Sequence, residues 1–300
     1  MRIGIDLGGT KIEGVVLDEA SQVLARKRVP TPQNDYRATA VAIAELALAL
    51  EAQVGGRQLS IGIGTPGSIS PATGLLRNAN SVCLNGMPLQ QDLEQLLGRE
   101  LRMANDANCL AVSEATDGAA AGEPLVFAVI LGTGCGGGWA LNGQTVIGRN
   151  GIAGEWGHNP LPWPRPEWGE VPGDRCWHGG DGCLETWLSG PALAADHRRQ
   201  GHAALNPEQI ASSDDPACRQ TMNRYYDRLA RALAMAINFM DPNVIVLGGG
   251  LSRLEAIYQE VPQRWGRWIF SDQVNTELRP AMHGDSSGVR GAAWLWPHSD

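Results

Sequence analysis

Several short stretches of the chain have the residue types and spacing that chemistry requires. Three are strand-like runs ending in glycine: Asp6-Leu7-Gly8-Gly9-Thr10-Lys11, Gly132-Thr133-Gly134-Cys135-Gly136-Gly137-Gly138 and Gly248-Gly249-Gly250. Glycine lets backbone N–H groups approach phosphate oxygens with no Cβ in the way. The second run matches G-x-G-x-x-G at Gly132, Gly134 and Gly137, but that dinucleotide fingerprint opens a helix, and here the strand-like GGWALNG follows. A strand, a glycine turn and a second strand form instead a hairpin clamp for phosphates. A carboxylate at the end of the first strand, Asp6, suits a Mg2+ ion held through water. In ANDANC, Asp106 stands immediately before the helix-prone ANCLAVSEA, where an N-cap is the plain structural role. Finally, GDRCWHGGDGCLE over 173–185 gathers two cysteines, a histidine and a glutamate. Metal site, redox pair and catalytic cluster are all open to such a set, although the lack of a C-x-x-C spacing disfavours the redox pair.

The elements that must position these residues come in two similar halves. Residues 2–29 give three strand signals, RIGIDLGG, KIEGVVLD and QVLARKRV, with a turn at DEAS, and residues 125–147 repeat the scheme as LVFAVILGTG, GGGWALNG and TVIG. Asn142-Gly143 supplies a tight hairpin turn in the second. Each half continues into helix, over Tyr36–Gln53 and again where Met222, Tyr225, Leu229, Leu233, Ile237 and Met240 recur at steps of three and four. A further strand running into glycines follows each: SIGIGTPG at 60–67 and NVIVLGGG at 243–250. The pattern predicts two α/β lobes, 1–115 and 116–286, with a last helix over 287–296 packing back on the first.

Composition removes other classes. The 300 residues are 43% hydrophobic, enough for cores in two medium lobes. A net charge of −8 supplies no broad basic surface, so a nucleic-acid partner is not expected. No apolar run approaches the roughly 18 residues of a membrane span, and RIGID directly after Met1 does not read as a signal peptide. Neither membrane nor export is expected. The expected compartment is the cytoplasm, where the six cysteines stay reduced.

IDLGGTK, NDANCLAVSEA, ILGTGCGGG, GEWGHNPL, the C-x-H-x4-C-L-E run and DPNVIVLGGG, taken together and in order, resemble the ROK sugar kinases over nearly the whole chain. Within that family VPTPQNDYRAT, GTPGSISPATG, NANSVCLNGMPL, GHNPLPW and HGDSSGVRGAAWLWP look most like the bacterial fructokinases (mannofructokinases). The resemblance implies a two-lobed actin-like ATPase (ribonuclease H-like) fold with a duplicated mixed-sheet core, a homodimer, and ATP-dependent phosphorylation of a hexose, with D-fructose 6-phosphate as the expected product. N-acetylhexosamine or glucose kinase is the alternative within the class, and a sugar-responsive regulator without catalysis is the alternative outside it. Regulators of the family carry an N-terminal helix-turn-helix, whereas this chain has one residue before its phosphate strand.

By the same resemblance Asp106 is the general base for the attacking sugar hydroxyl, a fitting role in phosphoryl transfer, where positioning, Mg2+ and one base carry the reaction. Gly67, Asn80, Asn105, Glu155, His158 and Glu185 are the implied sugar contacts, and Asp6, Gly8, Gly9, Thr10, Lys11, Gly132, Thr133, Gly134, Gly248, Gly249 and Gly250 the nucleotide side. The family's zinc pattern of one histidine and three cysteines maps onto His158, Cys176, His178 and Cys183, with His178 in place of a cysteine. Two imidazoles and two thiolates make a closed tetrahedral Zn2+ site with no open position, a structural arrangement, whose implied purpose is to pin a loop so that Glu185 reaches the sugar. The family's usual tryptophan in NANS-x-W-LNG is Cys83 here, and Cys83 and Cys109 read as small buried hydrophobes.

Overall fold

RIGIDL is buried along nearly its whole length rather than on alternate residues, as a strand covered on both faces requires. In the computed structural model, which describes residues 1–79 and 81–296, it is strand β1 (Arg2–Leu7). The strands that follow are β2 (Lys11–Leu17), β3 (Val23–Pro30), β4 (Ser60–Thr65), β5 (Ser68–Ile69), β6 (Leu76–Arg77), β7 (Arg102–Asn105), β8 (Leu125–Leu131), β9 (Cys135–Leu141), β10 (Gln144–Thr145), β11 (Val244–Gly248) and β12 (Glu277–Pro280). The helices are α1 (Tyr36–Gln53), α2 (Leu89–Leu97), α3 (Asp106–Thr116), α4 (Glu185–Leu188), α5 (Gly190–Arg199), α6 (Pro207–Ser212), α7 (Pro216–Met240), α8 (Ile257–Glu260), α9 (Pro262–Trp265) and α10 (Ser287–Trp294). One five-stranded sheet has the order β3-β2-β1-β4-β7 and another β10-β9-β8-β11-β12. The two orders correspond strand for strand, so the duplication seen in the sequence is a duplication of sheet topology. Both sheets are mixed: β1 pairs antiparallel with β2 and parallel with β4, while β11 is parallel to β8 and β12.

The chain forms two compact units, one of 1–124, 138–153 and 282–300, the other of 125–137 and 154–281. This differs from a cut at 115/116 because the chain crosses over within β9, and its far end pairs with β10 in the first unit.

In the first unit, alternation along β1 sorts the two faces of the sheet. Ile3 and Ile5 join Ile43, Leu46 and Leu50 of α1 in one apolar cluster, and Asp35 caps that helix by accepting from Ala38 N–H. Gly4 faces the other way, toward α10. A Cβ there would lie 2.0 Å from the Val289 carbonyl oxygen, and one on Gly62 of β4 would lie 1.8 Å from that of Ala292, so α10 rests directly on the backbone of the sheet. The start of α10 is fixed by a buried carboxylate of α3: Glu114 accepts from the backbone N–H groups of Ala119 (2.8 Å) and Met282 (3.0 Å) and from Ser287 Oγ (2.8 Å).

In the second unit, α7 is capped by Asp215, which accepts from Ala217 N–H, with Pro216 at its first position. Met222, Tyr225, Leu229, Leu233 and Ile237 are buried as the helical period predicts, whereas Met240, in the last turn, is 44% exposed. The period did not reveal three buried arginines on the same helix. Arg228 and Arg231 both bond Glu170 (2.7 and 2.9 Å), and Arg231 also donates to the carbonyls of Pro162 and Trp163. Arg224 bonds Asp196 (2.9 Å). The bonds of Arg228 and Arg231 hold the proline- and tryptophan-rich stretch 160–172 against α7, and that of Arg224 ties α5 to it. No described helix is long and apolar enough to cross a membrane.

Glu114→Ala should cost on the order of 3–5 kcal/mol in unfolding free energy, since buried donors left without an acceptor cost about 1–3 kcal/mol each. Glu114→Gln, which keeps an acceptor, should cost less. Denaturant unfolding of the two variants against the wild-type chain measures both.

Candidate active site

In the first unit, the C-terminal ends of β1, β4 and β7 converge on two carboxylates. Asp6 stands at the end of β1 and Asp106 opens α3 directly after β7. Asn105, rather than Asp106, caps the helix: its side-chain oxygen accepts from Asn108 N–H at 2.8 Å. Asp106 Oδ1 accepts from Ala107 N–H at 2.8 Å. Asn105 was an expected sugar contact, but its oxygen is committed to the cap, leaving the amide NH2 as the group for a hydroxyl. Burial first, and then the negative charges of Asp106 and Glu13, push the Asp6 carboxyl up to about 6 against a smaller opposing pull from Lys11. Cys109 lies beneath the pair with no exposure; burial and the same two carboxylates push its thiol well up, so it stays protonated, as a small hydrophobe. Cys83, by contrast, is only partly buried.

The turn Gly8–Lys11 is braced from behind. Gly8 N–H donates to the Lys11 carbonyl at 3.0 Å, and Thr31 Oγ1 and Gln33 Nε2 donate to the carbonyls of Gly8 (2.7 Å) and Gly9 (2.9 Å). With its oxygens drawn toward residues 31–33, the turn leaves Gly9, Thr10 and Lys11 exposed. Thr31 and Gln33 were missed as site residues; the polar TPQN after β3 is the signal that marked them. Gly67 packs against the 77–79 backbone, where a Cβ would meet the Arg77 carbonyl oxygen at 2.3 Å. Asn80 lies outside the described residues.

The second unit holds the other glycine turns and the histidine–cysteine cluster. Gly132 N–H donates to the Gly134 carbonyl at 3.0 Å, and Gly190 N–H to that of Gly132 at 2.8 Å. Glu185 sits on this turn: its Oε2 accepts from Cys135 N–H at 3.0 Å, and a Cβ on Gly134 would come within 2.6 Å of the same oxygen. Gly249 has φ +83° and a Cβ there would strike the Leu131 backbone, so this turn closes only on glycine. Gly248 ends β11, and Gly250 begins a short 3-10 turn. Thr133 lies on the exposed side of its loop.

Glu155 precedes the single turn Trp156–His158. His158, Cys176 and His178 present ligand atoms all within 4.8 Å of one another. Cys176 Sγ is 3.6 Å from His158 Nδ1, and Cys183 Sγ is 3.7 Å from His178 Nδ1. Tetrahedral bonds of about 2.3 Å to sulfur and 2.05 Å to nitrogen put such atoms about 3.5 Å apart, close to both separations, while Cys183 stands outside the three residues whose ligand atoms all lie within 4.8 Å of one another. Loss of solvent, Cys176 and the carboxylates of Glu185 and Asp181 push the Cys183 thiol up to about 11, a group that loses its proton readily only to a cation. Trp177, between two of these candidate ligands, donates its indole N–H to Glu185 Oε1 at 3.1 Å, a contact that residue type and spacing did not suggest.

The expected sugar contacts are thus divided, Gly67 and Asn105 standing in the first unit and Glu155, His158 and Glu185 in the second. The expected nucleotide residues divide likewise, Asp6 to Lys11 in the first and Gly132–Gly134 and Gly248–Gly250 in the second.

Residues 2–299 match the ROK family. The chain belongs to that family. Relatives with which it aligns over nearly its whole length include an N-acetyl-D-glucosamine kinase of Escherichia coli O1:K1, 40% identical with 98% of this chain and 99% of that one covered. Among solved structures, a ROK hexokinase from Thermus thermophilus superposes with a TM-score of 0.86 at 32% identity, covering 98% of this chain and 97% of the other. A ROK glucokinase from Streptomyces griseus, solved with glucose and AMPPNP, gives 0.76 at 27% identity with 98% of each chain covered. The α/β fold with two mixed sheets is therefore the actin-like ATPase fold of the ROK kinases. The finer likeness to fructokinases is not supported, since the relatives in hand act on other sugars by name.

The Asp6 carboxyl yields a pH prediction. Its folded value, about 6, lies above the ordinary 3.8, so between these values the folded state binds more protons than the unfolded and stability falls as pH rises. Asp6→Asn should therefore raise the melting temperature at pH 7–8, by the few degrees that about 2–3 kcal/mol allows, and give little gain near pH 4. Calorimetric melts across pH test this.

Proposed function

We propose that the chain is an ATP-dependent sugar kinase whose preferred acceptor is an N-acetylhexosamine, with N-acetyl-D-glucosamine first. The observation that supports the reaction class is the pairing of Asp6 and Asp106 at the ends of β1 and β7, the two strands that flank β4 in the first sheet, beside an exposed glycine turn. The choice of sugar leans on the 40% identity with an N-acetyl-D-glucosamine kinase over both whole chains.

In this reading Asp106 accepts the proton of the sugar's primary hydroxyl as that oxygen attacks the γ-phosphorus. The bond from phosphorus to the bridging oxygen breaks, and ADP leaves with the electron pair. Asp6, its proton affinity raised by burial and then by the nearby negative charges, would hold Mg2+ through water, and that ion would supply neutralisation of charge on the transferring phosphate. The glycine turns receive the phosphates. Glu155, His158 and Glu185 accept from or donate to sugar hydroxyls, with Asn105 donating from its amide. His158, Cys176, His178 and Cys183 hold a structural zinc ion that fixes the loop leading into Glu185.

Purified protein supplied with Mg-ATP should release ADP fastest with N-acetyl-D-glucosamine, and more slowly with N-acetylmannosamine, glucose, mannose and fructose. Silence toward every sugar would overturn the kinase reading, and fructose leading the panel would overturn the amino-sugar choice. Asp106→Asn should lower kcat by roughly 10² to 10⁴ through loss of the base. It should leave the melting temperature nearly unchanged, because Asn105 keeps the cap.

Elemental analysis of the protein as purified should find one zinc per chain. Cys183→Ser should lose it and raise KM for the sugar far more than KM for ATP. Metal-free protein with full activity contradicts the structural-zinc reading, as does a Cys183→Ser defect falling equally on both substrates.

A further inference from the structure

Trp177 is two-thirds exposed, an unusual position for the largest apolar side chain unless something holds it there. Two contacts do. Its ring meets His158 edge-on, with centroids 5.0 Å apart and planes at 87°, the geometry aromatic quadrupoles favour. Its indole N–H donates to Glu185 Oε1 at 3.1 Å.

The other oxygen of that carboxylate, Oε2, accepts from Cys135 N–H at 3.0 Å. Each Glu185 oxygen is therefore fixed by one protein donor, one from the glycine turn and one from Trp177. An ionised carboxylate has about four acceptor positions, so two remain, and the two protein donors determine where these point. The side chain of a glutamate otherwise turns freely about its last bond. Cys135 N–H alone leaves a pivot about a single oxygen, and the second donor removes it.

We propose that Trp177 is a positioning residue that ties the histidine–cysteine loop to Glu185, locking the carboxylate plane for recognition of vicinal sugar hydroxyls. The proposal rests on the reading of Glu185 as a sugar contact. Because Trp177 lies between Cys176 and His178, the closure of those side chains on a metal sets the backbone from which the indole reaches Glu185. Metal occupancy and sugar affinity are then linked through this hydrogen bond as well as through His158.

Trp177→Phe keeps a ring edge for His158 and deletes the N–H. Titration calorimetry without nucleotide should show N-acetyl-D-glucosamine binding weakened by about 5- to 20-fold, the range for loss of one charge-assisted hydrogen bond at an exposed site. ATP binding and zinc content should stay at the wild-type level. Unchanged sugar affinity overturns the proposal, and so does a loss of zinc that accounts for the weakening.

The hydrogen bond itself is read independently of any sugar. In an ¹⁵N spectrum the indole resonance that vanishes in Trp177→Phe should lie downfield, and it should move upfield in Glu185→Gln and on chelation of the metal. A resonance indifferent to Glu185→Gln overturns the proposal, whatever the binding data show. If the wild-type chain binds none of the sugars in the panel while the resonance responds as described, the sugar role of Glu185 falls and the hydrogen bond stands.

Discussion

Helix α3 carries Asp106 in its first turn and Glu114 near its last, and the second residue helps set where the first can lie. Glu114 collects donors from the end of its own helix and from the segment that opens α10. It is fully buried, where an unmatched charge would be expensive and a matched one is geometrically demanding. Alpha-10 in turn lies on Gly4 and Gly62 at a distance no side chain would allow. Sheet, α10 and α3 therefore form one stack, and the carboxylate at the head of α3 is held both by the Asn105 cap and the close packing of Gly291 on Cys109 in the first turn and by the Glu114 contacts at the other end.

The second unit solves a harder problem, since the residues between His158 and Cys176 form no long helix or strand. Their backbone groups need partners, and the buried arginines of α7 supply them. Arg231 takes the carbonyls of Pro162 and Trp163, while Glu170, bonded by Arg228 and Arg231, also accepts from Arg165 N–H. Trp163 stacks on Trp268 with ring centroids 4.9 Å apart. Buried ion pairs are weak evidence for stability, because desolvation offsets attraction. Here their effect is positional: they fix both ends of a long loop, so that the histidine and cysteine it separates in sequence come back within ligand distance.

Much of this was legible in the sequence because periodicity and glycine report on backbone. Both strand–turn–strand entries, α1, the apolar stripe of α7 and the final helix follow from spacing alone. Side-chain partnerships across long sequence gaps were not legible. Asp106 read as a cap because an acid before a helical stretch usually is one, and nothing local says that Asn105 takes the role. Buried arginines look, in sequence, like the solvated face of a helix; their burial depends on acids at 170 and 196, in segments that come together only in the folded chain. Trp177 carried no assigned role in the sequence, since its partner Glu185 is placed by a turn at 132–135. The sugar was the least legible feature, because the same carboxylates and amides serve several hexoses.

The first unit draws on both ends of the chain, with its last segment beginning at Met282. During synthesis, therefore, β1, β4 and α3 emerge before the second unit with one face of their sheet uncovered, and Gly4 and Gly62 wait for a helix that is translated after the whole of that unit. The second unit, contiguous apart from its opening 13 residues at 125–137, is complete sooner. The order of assembly at the ribosome is thus the reverse of the order of the lobes in sequence. An early-stopped chain lacking α10 would present an open, glycine-lined apolar face of the kind that chaperones bind and proteases clear.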